Sequence, residues 1–382
     1  MYPPGRPENP LELSRFEVES RLVACMQEIY NNRRHAPSLR KRHLQWCLTL
    51  ARGRSDDTAS KEIQEIIKSE ARRRQQRRIN AQIKQLAGRS IVNVTVTTPT
   101  GDRTYDSKDQ VERHTAHHLR QRFSLGQRAP LHHDTLHQDF GDLADTAATR
   151  QLFNGTYKFP KNCDIATVQY LQEAARIKSE LQALPTIQQA VTTYEFIKFW
   201  ATAKESTSSS KSGRHFGHYK AVTDHPDLVT LHVTNINLAA MRGEPLKRWC
   251  EGVNVLLEKI AGNSHIDRLR AICLLEADFN WLNKLVFAKR MMDQAYDAGN
   301  VPLEQFAKRG TQAAHGVLCK VLFCDYVRAL HIIAGIPSVD LGNCYDAVSH
   351  PIASIALQAF RVPLLTVVLA LSVLQTMTFY LR

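Results

Sequence analysis

The chain has 382 residues, of which 43% are hydrophobic and 23% charged, the proportions of a globular rather than a disordered protein. Its formal charge is +13, which indicates a polyanionic partner. It contains no glycine-rich phosphate loop and no nucleophile elbow, so the chemistries built on those motifs are excluded.

The basic residues are concentrated near the N-terminus. Between positions 31 and 90 there are sixteen Lys and Arg against five Asp and Glu. The densest part lacks Gly and Pro and favours a helix, from which arginines would project towards phosphates. These arginines are Arg72, Arg73, Arg74, Arg77 and Arg78. A nuclear-localisation run and a solvated helix are the alternatives. We assign residues 1–90 to a basic helical N-terminal region.

Residues 91–190 are expected to form a small, loop-rich α+β connecting region. Positions 91–97 alternate as a strand, 98–102 form a turn and 103–105 begin a return strand. A helix follows to about position 122, and 124–165 shows little periodicity, which predicts loops. His114 and His118 lie one helical turn apart and could share a metal, but no cysteine accompanies them, which disfavours a zinc site.

The eight cysteines form no C-x-x-C pairs, and several lie inside apolar runs. They predict buried thiols in a reducing compartment. The polar, proline-rich start is not a signal peptide. We therefore expect an intracellular protein; the sequence does not distinguish nucleus from cytoplasm.

The region from 191 onwards begins with helices and continues into a predicted β-hairpin. Val253–Leu257 and Leu269–Leu275 flank a polar turn that contains Gly262 and Asn263. The basic side chains near its ends are Lys259, Arg268 and Arg270. Trp249 and Phe279 are expected to be plain core residues.

Helices are predicted on both sides of a strand that ends in an acid. A long helix runs from about Leu275 to Gly299. The next helix, capped by Thr311, carries the apolar stripe Val317, Leu318, Val321 and Leu322. An apolar run then leads into Asp340, followed by Tyr345 and Asp346, and Ser349 can cap a further helix with Pro351 in its first turn. A carboxylate at the end of a buried strand is well placed to hold a divalent metal.

This order of segments resembles the fingers and first palm motif of reverse transcriptases of the non-LTR retrotransposon type, in particular reverse-transcriptase-like proteins of protists. The segments that carry the resemblance best lie within residues 195–382: the Thr207–Lys220 segment, the hairpin, and Cys344-Tyr345-Asp346. The resemblance implies a helix-rich α+β fold, in which a helical extension precedes the fingers and a truncated palm of a right-hand polymerase, at 191–382.

The resemblance also implies roles. Asp340 would be the catalytic metal ligand for Mg²⁺ or Mn²⁺, and Tyr345 would lie under the incoming sugar. Lys259 and Arg270 would contact the triphosphate, Arg268 less directly. An RNA template, a DNA primer and a dNTP would be the partners. Leu341-Gly342-Asn343 departs from the usual Ala-Lys-Ser type of segment.

An aromatic-x-Asp-Asp turn, which supplies further metal ligands in these enzymes, does not follow Asp340. The expectation is therefore an N-terminal portion of an RNA-directed DNA polymerase that is inactive, or nearly so, by itself. The alternative is a non-catalytic, basic RNA- or single-stranded-DNA-binding protein, in which the segment 31–90 makes the contacts.

The last stretch, 362–381, is almost wholly apolar. It could serve as a tail anchor, but Pro363, a Gln and three Thr favour a buried helix, 364–374, followed by a strand, 377–381, and no membrane is expected. If the stretch belongs to a palm whose other strands are missing, its apolar surface would lack a partner and promote aggregation.

Overall fold

The computed structural model describes residues 20–32, 45, 47–49, 52, 57–87, 93–124, 134–204, 210–260, 262–302, 304–306, 310–337 and 348–381. Helices dominate, and the described strands form one two-stranded and one three-stranded sheet. The predicted helix-rich α+β class is therefore confirmed. The polymerase architecture itself stays a prediction.

The helices before the larger sheet are α1 (residues 20–32), α2 (Asp57–Ala87), α3 (Lys108–Ser124), α4 (Asp134–Phe140), α5 (Ala147–Phe153), α6 (Ile165–Glu180), α7 (Thr193–Thr202), α8 (Phe216–Val222) and α9 (Pro226–Arg242). The helices after it are α10 (Ala277–Asn283), α11 (Met292–Asp297), α12 (Ala313–Ala329), α13 (His350–Ala359) and α14 (Leu364–Thr376). Between α10 and α11 the chain continues as a π-helix, Lys284–Met291, so the predicted long helix is confirmed with a widened middle.

The small sheet is the β-hairpin that the sequence predicts after the basic N-terminal region. Strand β1 (Val94–Thr98) pairs antiparallel with β2 (Gly101–Tyr105), and α3 follows as expected. The apolar side of β1, centred on the fully buried Val94, packs with Val96 and Val111 against the larger sheet.

The larger sheet has the order β4-β3-β5, formed by β3 (Glu251–Glu258), β4 (Leu269–Leu274) and β5 (Thr378–Leu381). Strands β3 and β4 are the hairpin that the sequence predicts, and they pair antiparallel. Strand β5 adds parallel to β3, although more than one hundred residues separate them in the chain.

One core joins most helices to the base of this sheet. The fully buried rings at its centre are Phe196, Trp200, Tyr219, Trp249 and Phe279. Trp200 stacks on Tyr219 at a centroid distance of 4.5 Å, which fixes α7 against α8. Trp249 and Phe279 are the core residues that the sequence predicts.

The loop prediction for 124–165 is wrong at two short helices, while 154–164 does form a loop and 125–133 lie outside the described residues. Helices α4 and α5 lie there, and they form a second core with α6 and α13. Leu136 and Phe140 are one turn apart on α4 and both are fully buried. Seven-residue helices offer only two turns of pattern, which is too few for the periodicity to be recognised.

The C-terminal stretch forms the predicted helix and strand. Its apolar helix was expected to lack a packing partner, and this expectation is wrong. Val367, Leu369, Leu371 and Val373 of α14 are buried in the main core. Gly243, which ends α9 at φ +69°, lets α14 approach closely, since a Cβ there would meet the Leu365 carbonyl oxygen at 3.2 Å. Among the described helices, none combines the length and hydropathy needed to cross a bilayer.

Within the described ranges, the exposed apolar surface lies instead on α12. All of its residues are described and none is buried. The stripe that sequence periodicity predicts is exposed, from 62% at Val317 and 54% at Leu318 to 48% at Val321. Thr311 is not its cap: Gln312 holds that position, and the Thr311 hydroxyl donates to the Phe306 carbonyl at 2.8 Å. Ser349 does occupy the cap position of α13, but its side chain makes no capping hydrogen bond there.

The prediction of buried thiols is also wrong for the cysteines that the structure describes. Cys273 and Cys319 are exposed, and the others are partly exposed. Cys344 lies outside the described residues.

Candidate functional site

The register of the β3–β4 hairpin brings two of the predicted basic side chains onto one face. Leu257 pairs with Arg270 and Val255 with Ile272, and the Lys259 amide extends this ladder by donating to the Arg268 carbonyl at 3.0 Å. Since paired residues in a sheet point to the same side and alternate residues share a face, Lys259 lies on the side of Arg270.

This side of the sheet is open to solvent. Lys259 and Arg270 are exposed, and Leu257 and Ile272 are 45% and 37% exposed. We call it the open sheet face; its residues are Val255, Leu257, Lys259, Arg270, Ile272 and Tyr380. It combines two cations, an apolar strip and one aromatic ring. A carboxylate on the same side, that of Glu251, lies at the opposite end of β3 from Lys259.

The opposite side of the hairpin is closed. Leu256 and Leu269 are buried there with Ile266 and pack against Val94. This small core determines which side of the hairpin is free, and thereby directs the two cations outward.

The turn between the strands is tied at both ends. Glu258 accepts from the Gly262 amide at 2.7 Å, and Gly262 has φ +83°, a conformation that favours glycine. His265 contacts the Thr97 hydroxyl at 2.9 Å, and the Thr95 amide donates to the Ser264 carbonyl at 3.1 Å. The small sheet thus braces the turn from behind.

Arg268 lies opposite Lys259, in the short 3₁₀ turn just before β4. It lines a polar groove of about 760 Å³ between the two hairpins, together with Asp102, His265 and Asp267. The two carboxylates of this groove, those of Asp102 and Asp267, make it a poor receptor for an anion. We therefore place the phosphate chemistry on the open sheet face.

A buried ion-pair network fastens the base of the hairpin. Asp278, fully buried after β4, accepts from Arg248 Nη1 at 2.6 Å and from Trp249 Nε1 at 2.9 Å, both just before β3. Arg248 Nη1 also donates to Glu276 at 3.0 Å. Burial opposes the ionisation of Asp278, but Arg248 prevails and holds the pKa of that carboxyl below its usual value. Both strands are thus anchored at one point.

The same network reaches the segment before α8. The Ser210 hydroxyl donates to Glu276, and the buried Arg214 lies close enough to Asp278 to help lower its pKa. Between them, Lys211 extends to the sheet, with Nζ 3.2 Å from Glu251 Oε1 and 3.4 Å from the centre of the Tyr380 ring. Sequence reasoning missed this set, because Ser210, Arg248 and Asp278 are far apart in the chain.

The predicted catalytic residues cannot be placed. Asp340, Tyr345 and Asp346 lie outside the described residues, so the structure tests neither the metal ligand nor the sugar contact. Within the described ranges, no group of three or more His, Cys, Asp or Glu side chains could hold a metal ion. His114 and His118 do not converge on one point: His114 stacks on Tyr105, and His118 faces Asp267.

The predicted nucleic-acid-binding arginines lie on α2, a continuous helix of 31 residues. Arg72 is exposed. The side chains of Arg73, Arg74, Arg77 and Arg78 lie outside what the structure describes. At 1.5 Å per residue, α2 is about 46 Å long.

Neither the scan against protein-family models nor the search of curated proteins found a match for this chain.

Proposed function

We propose that the chain carries the fingers of a retroelement RNA-directed DNA polymerase, and that its open sheet face binds the triphosphate of an incoming dNTP opposite an RNA template. The observation that supports this most directly is the register of the hairpin, which puts Lys259 and Arg270 on one exposed face, at the end of β3 away from Glu251.

The two cations can act on one phosphate group. They are diagonal neighbours across the strand pair, which puts their Cβ atoms roughly 7 Å apart. Both side chains are long, and Arg offers a planar fork of donors suited to phosphate oxygens. The buried pair of Arg248 and Asp278 supports the same role, since a fixed hairpin base lowers the entropic cost of holding the ligand.

Asp340 is proposed as the ligand of Mg²⁺ or Mn²⁺, and Tyr345 as the residue under the sugar. Both proposals come from the resemblance. When bound, the metal would neutralise phosphate charge and orient the nucleotide. Primer and template binding are proposals of the same kind.

Calorimetric titration with dNTP and Mg²⁺ tests the nucleotide site. Lys259→Ala and Arg270→Ala should each weaken binding about tenfold, since a charge-assisted hydrogen bond is worth about 1.5 kcal/mol. Lys289→Ala, which removes an exposed cation of the π-helix Lys284–Met291, is the matched control and should bind as the parent does. Asp340→Asn should remove the metal-dependent part of the affinity. Unchanged binding in both hairpin variants would refute the proposal.

A second candidate function is non-catalytic binding of RNA or single-stranded DNA through α2. It is supported by the exposure of Arg72 on this helix and by the charge of its neighbours. Replacing Arg72, Arg73, Arg74, Arg77 and Arg78 by Ala should then flatten the salt dependence of binding by about three to four units, at roughly 0.7 unit per contact. In this case Asp340→Asn and Lys259→Ala should leave the affinity for RNA or single-stranded DNA unchanged.

A further inference from the structure

Lys211 lies at the far end of the open sheet face. Glu251 and Val253 of β3 pair with Thr378 and Tyr380 of β5, so Tyr380 points to the same side as Val255 and Leu257. Lys211 contacts both Glu251 and Tyr380, which puts its ammonium group on that side as well. Its side chain is 37% exposed and therefore accessible to a ligand.

The backbone from which Lys211 extends is fixed. The preceding Ser210 is buried and donates to the buried Glu276, which also accepts from Arg248. The ammonium group thus lies at the end of a long, flexible side chain whose backbone is held in place, so it can reach a ligand beside Glu251.

The distance from Lys211 to the other cations sets the size of the ligand. Val253, the partner of Tyr380, is four residues from Leu257 and six from Lys259, which corresponds to about 13 and 20 Å along the strand. One phosphate group cannot span this distance. A stacked strand, with a phosphate every ~3.4 Å, covers it with about four to six nucleotides.

We propose that Lys211 is a further phosphate-binding residue of the open sheet face, and that the occupant of the whole face is a single nucleic-acid strand of several nucleotides rather than a mononucleotide alone. This inference rests on the proposed function of Lys259 and Arg270.

The contacts of Lys211 define an exchange of anionic partners. The Glu251 carboxylate and a phosphate of the strand compete for the same ammonium group. When the ammonium group turns to the phosphate, it leaves the face of the Tyr380 ring, on which a base can then stack. The apolar strip of Val255, Leu257 and Ile272 lies between the two ends, where further bases would contact it.

Fluorescence polarisation with a labelled dinucleotide and a labelled dodecanucleotide of thymidine tests the inference. Lys211→Ala should weaken binding of the dodecanucleotide about five- to tenfold and reduce its salt slope by about 0.7 unit, since one phosphate contact is lost. Binding of dNTP and of the dinucleotide should stay as in the parent. Lys211→Arg should restore the affinity.

Glu251→Gln separates a binding role from a structural one. Removing the competing carboxylate should tighten binding of the dodecanucleotide about two- to fivefold, although it removes an ion pair from the fold. Tyr380→Phe, which keeps the ring, should bind as the parent does, and Tyr380→Ala should bind more weakly.

The two proposals fail in different ways. If Lys259→Ala and Arg270→Ala change the affinity for dNTP and oligonucleotide alike, but Lys211→Ala changes neither the dodecanucleotide affinity nor its salt slope, only the present inference is overturned. If none of the three variants affects any ligand, the proposed function is overturned. An equal loss for dNTP and dodecanucleotide in Lys211→Ala would also contradict the longer-strand assignment.

Discussion

The base of the β3–β4 hairpin and the helix α12 both carry large apolar side chains next to charged ones, but they lie in opposite environments in the structure. At the hairpin base, Asp278, Arg248 and Trp249 are buried in one hydrogen-bonded network. On α12, the apolar residues face solvent, and its acid, Asp325, pairs only with the exposed Arg328 one turn away. The hairpin has a defined position, whereas α12 contacts the Phe306 ring at Gly316 but buries none of its own residues.

The difference shows what an apolar stripe does and does not establish. Apolar residues at helical spacing define one face of a helix. That face supports a structural or functional assignment only when a second element is seen to pack on it. The hairpin has three such elements: the small sheet behind it, α10 after it and β5 beside it. We therefore assign function to the hairpin and none to α12.

Removing one acidic side chain from the hairpin base and one from α12 should give the largest difference in the free energy of unfolding. Asp278→Ala leaves Arg248 buried without its main partner and should lower the free energy of unfolding by about 3–5 kcal/mol. Asp325→Ala breaks an exposed pair and should cost at most about 0.5 kcal/mol. Urea unfolding of both variants measures this. Equal losses would mean that the buried network does not anchor the hairpin.

Truncating one leucine in each region gives the next contrast. Leu369 of α14 is fully buried in the main core, so Leu369→Ala should cost about 2–5 kcal/mol. Leu318→Ala on α12 should change the free energy of unfolding by no more than about 0.5 kcal/mol and should reduce self-association seen by light scattering. A large loss of stability in Leu318→Ala would show that α12 is packed in solution.

Deleting residues 362–382 tests the packing of α14 in another way, because a surface without a partner would make the shortened chain more soluble. Because α14 supplies buried core residues, the deletion should expose the core and reduce the yield of soluble protein. A deletion variant that is more soluble than the parent and equally stable would contradict the packing of α14.

A smaller effect is expected from pH. His232 is fully buried in the main core, and burial lowers its pKa to about 3. The pKa of His232 in the folded state lies below its unfolded value of about 6.5. Its contribution to stability is therefore fully present above that pH, and the free energy of unfolding decreases by about 1.4 kcal/mol per pH unit as the pH falls towards 3. His232→Leu should flatten this dependence between pH 6 and 4.5 on the ~1 kcal/mol scale, and His117→Leu, at an exposed position of α3, should not. Parallel pH profiles for both would contradict the assignment to His232.

The sequence predicts the hairpin because its signals are local. A polar turn with Gly262 separates two short apolar runs, and the register follows once that turn closes. The position of Lys259 and Arg270 near its tip was therefore predictable. That they share an open face with Tyr380 was not, because β5 joins β3 from the other end of the described chain.

The sequence gives no comparable signal for the network beneath. Arg248 and Asp278 are thirty residues apart, and Ser210 is further away, so no periodicity links them. In the sequence, Arg248 and Asp278 share a single feature: each lies just outside the hairpin and next to a large aromatic residue, Trp249 or Phe279. On α12 the reverse holds: the periodicity of Val317 and Val321 is clear, but periodicity does not say what covers a face.

The most direct test of the account is amide hydrogen exchange with and without the thymidine dodecanucleotide. We predict slower exchange in the turn between β3 and β4 and at Lys211 on binding, with no change in α12. Slower exchange in α2 or α12, with the hairpin turn unchanged, would contradict the claim that the open sheet face is the binding site.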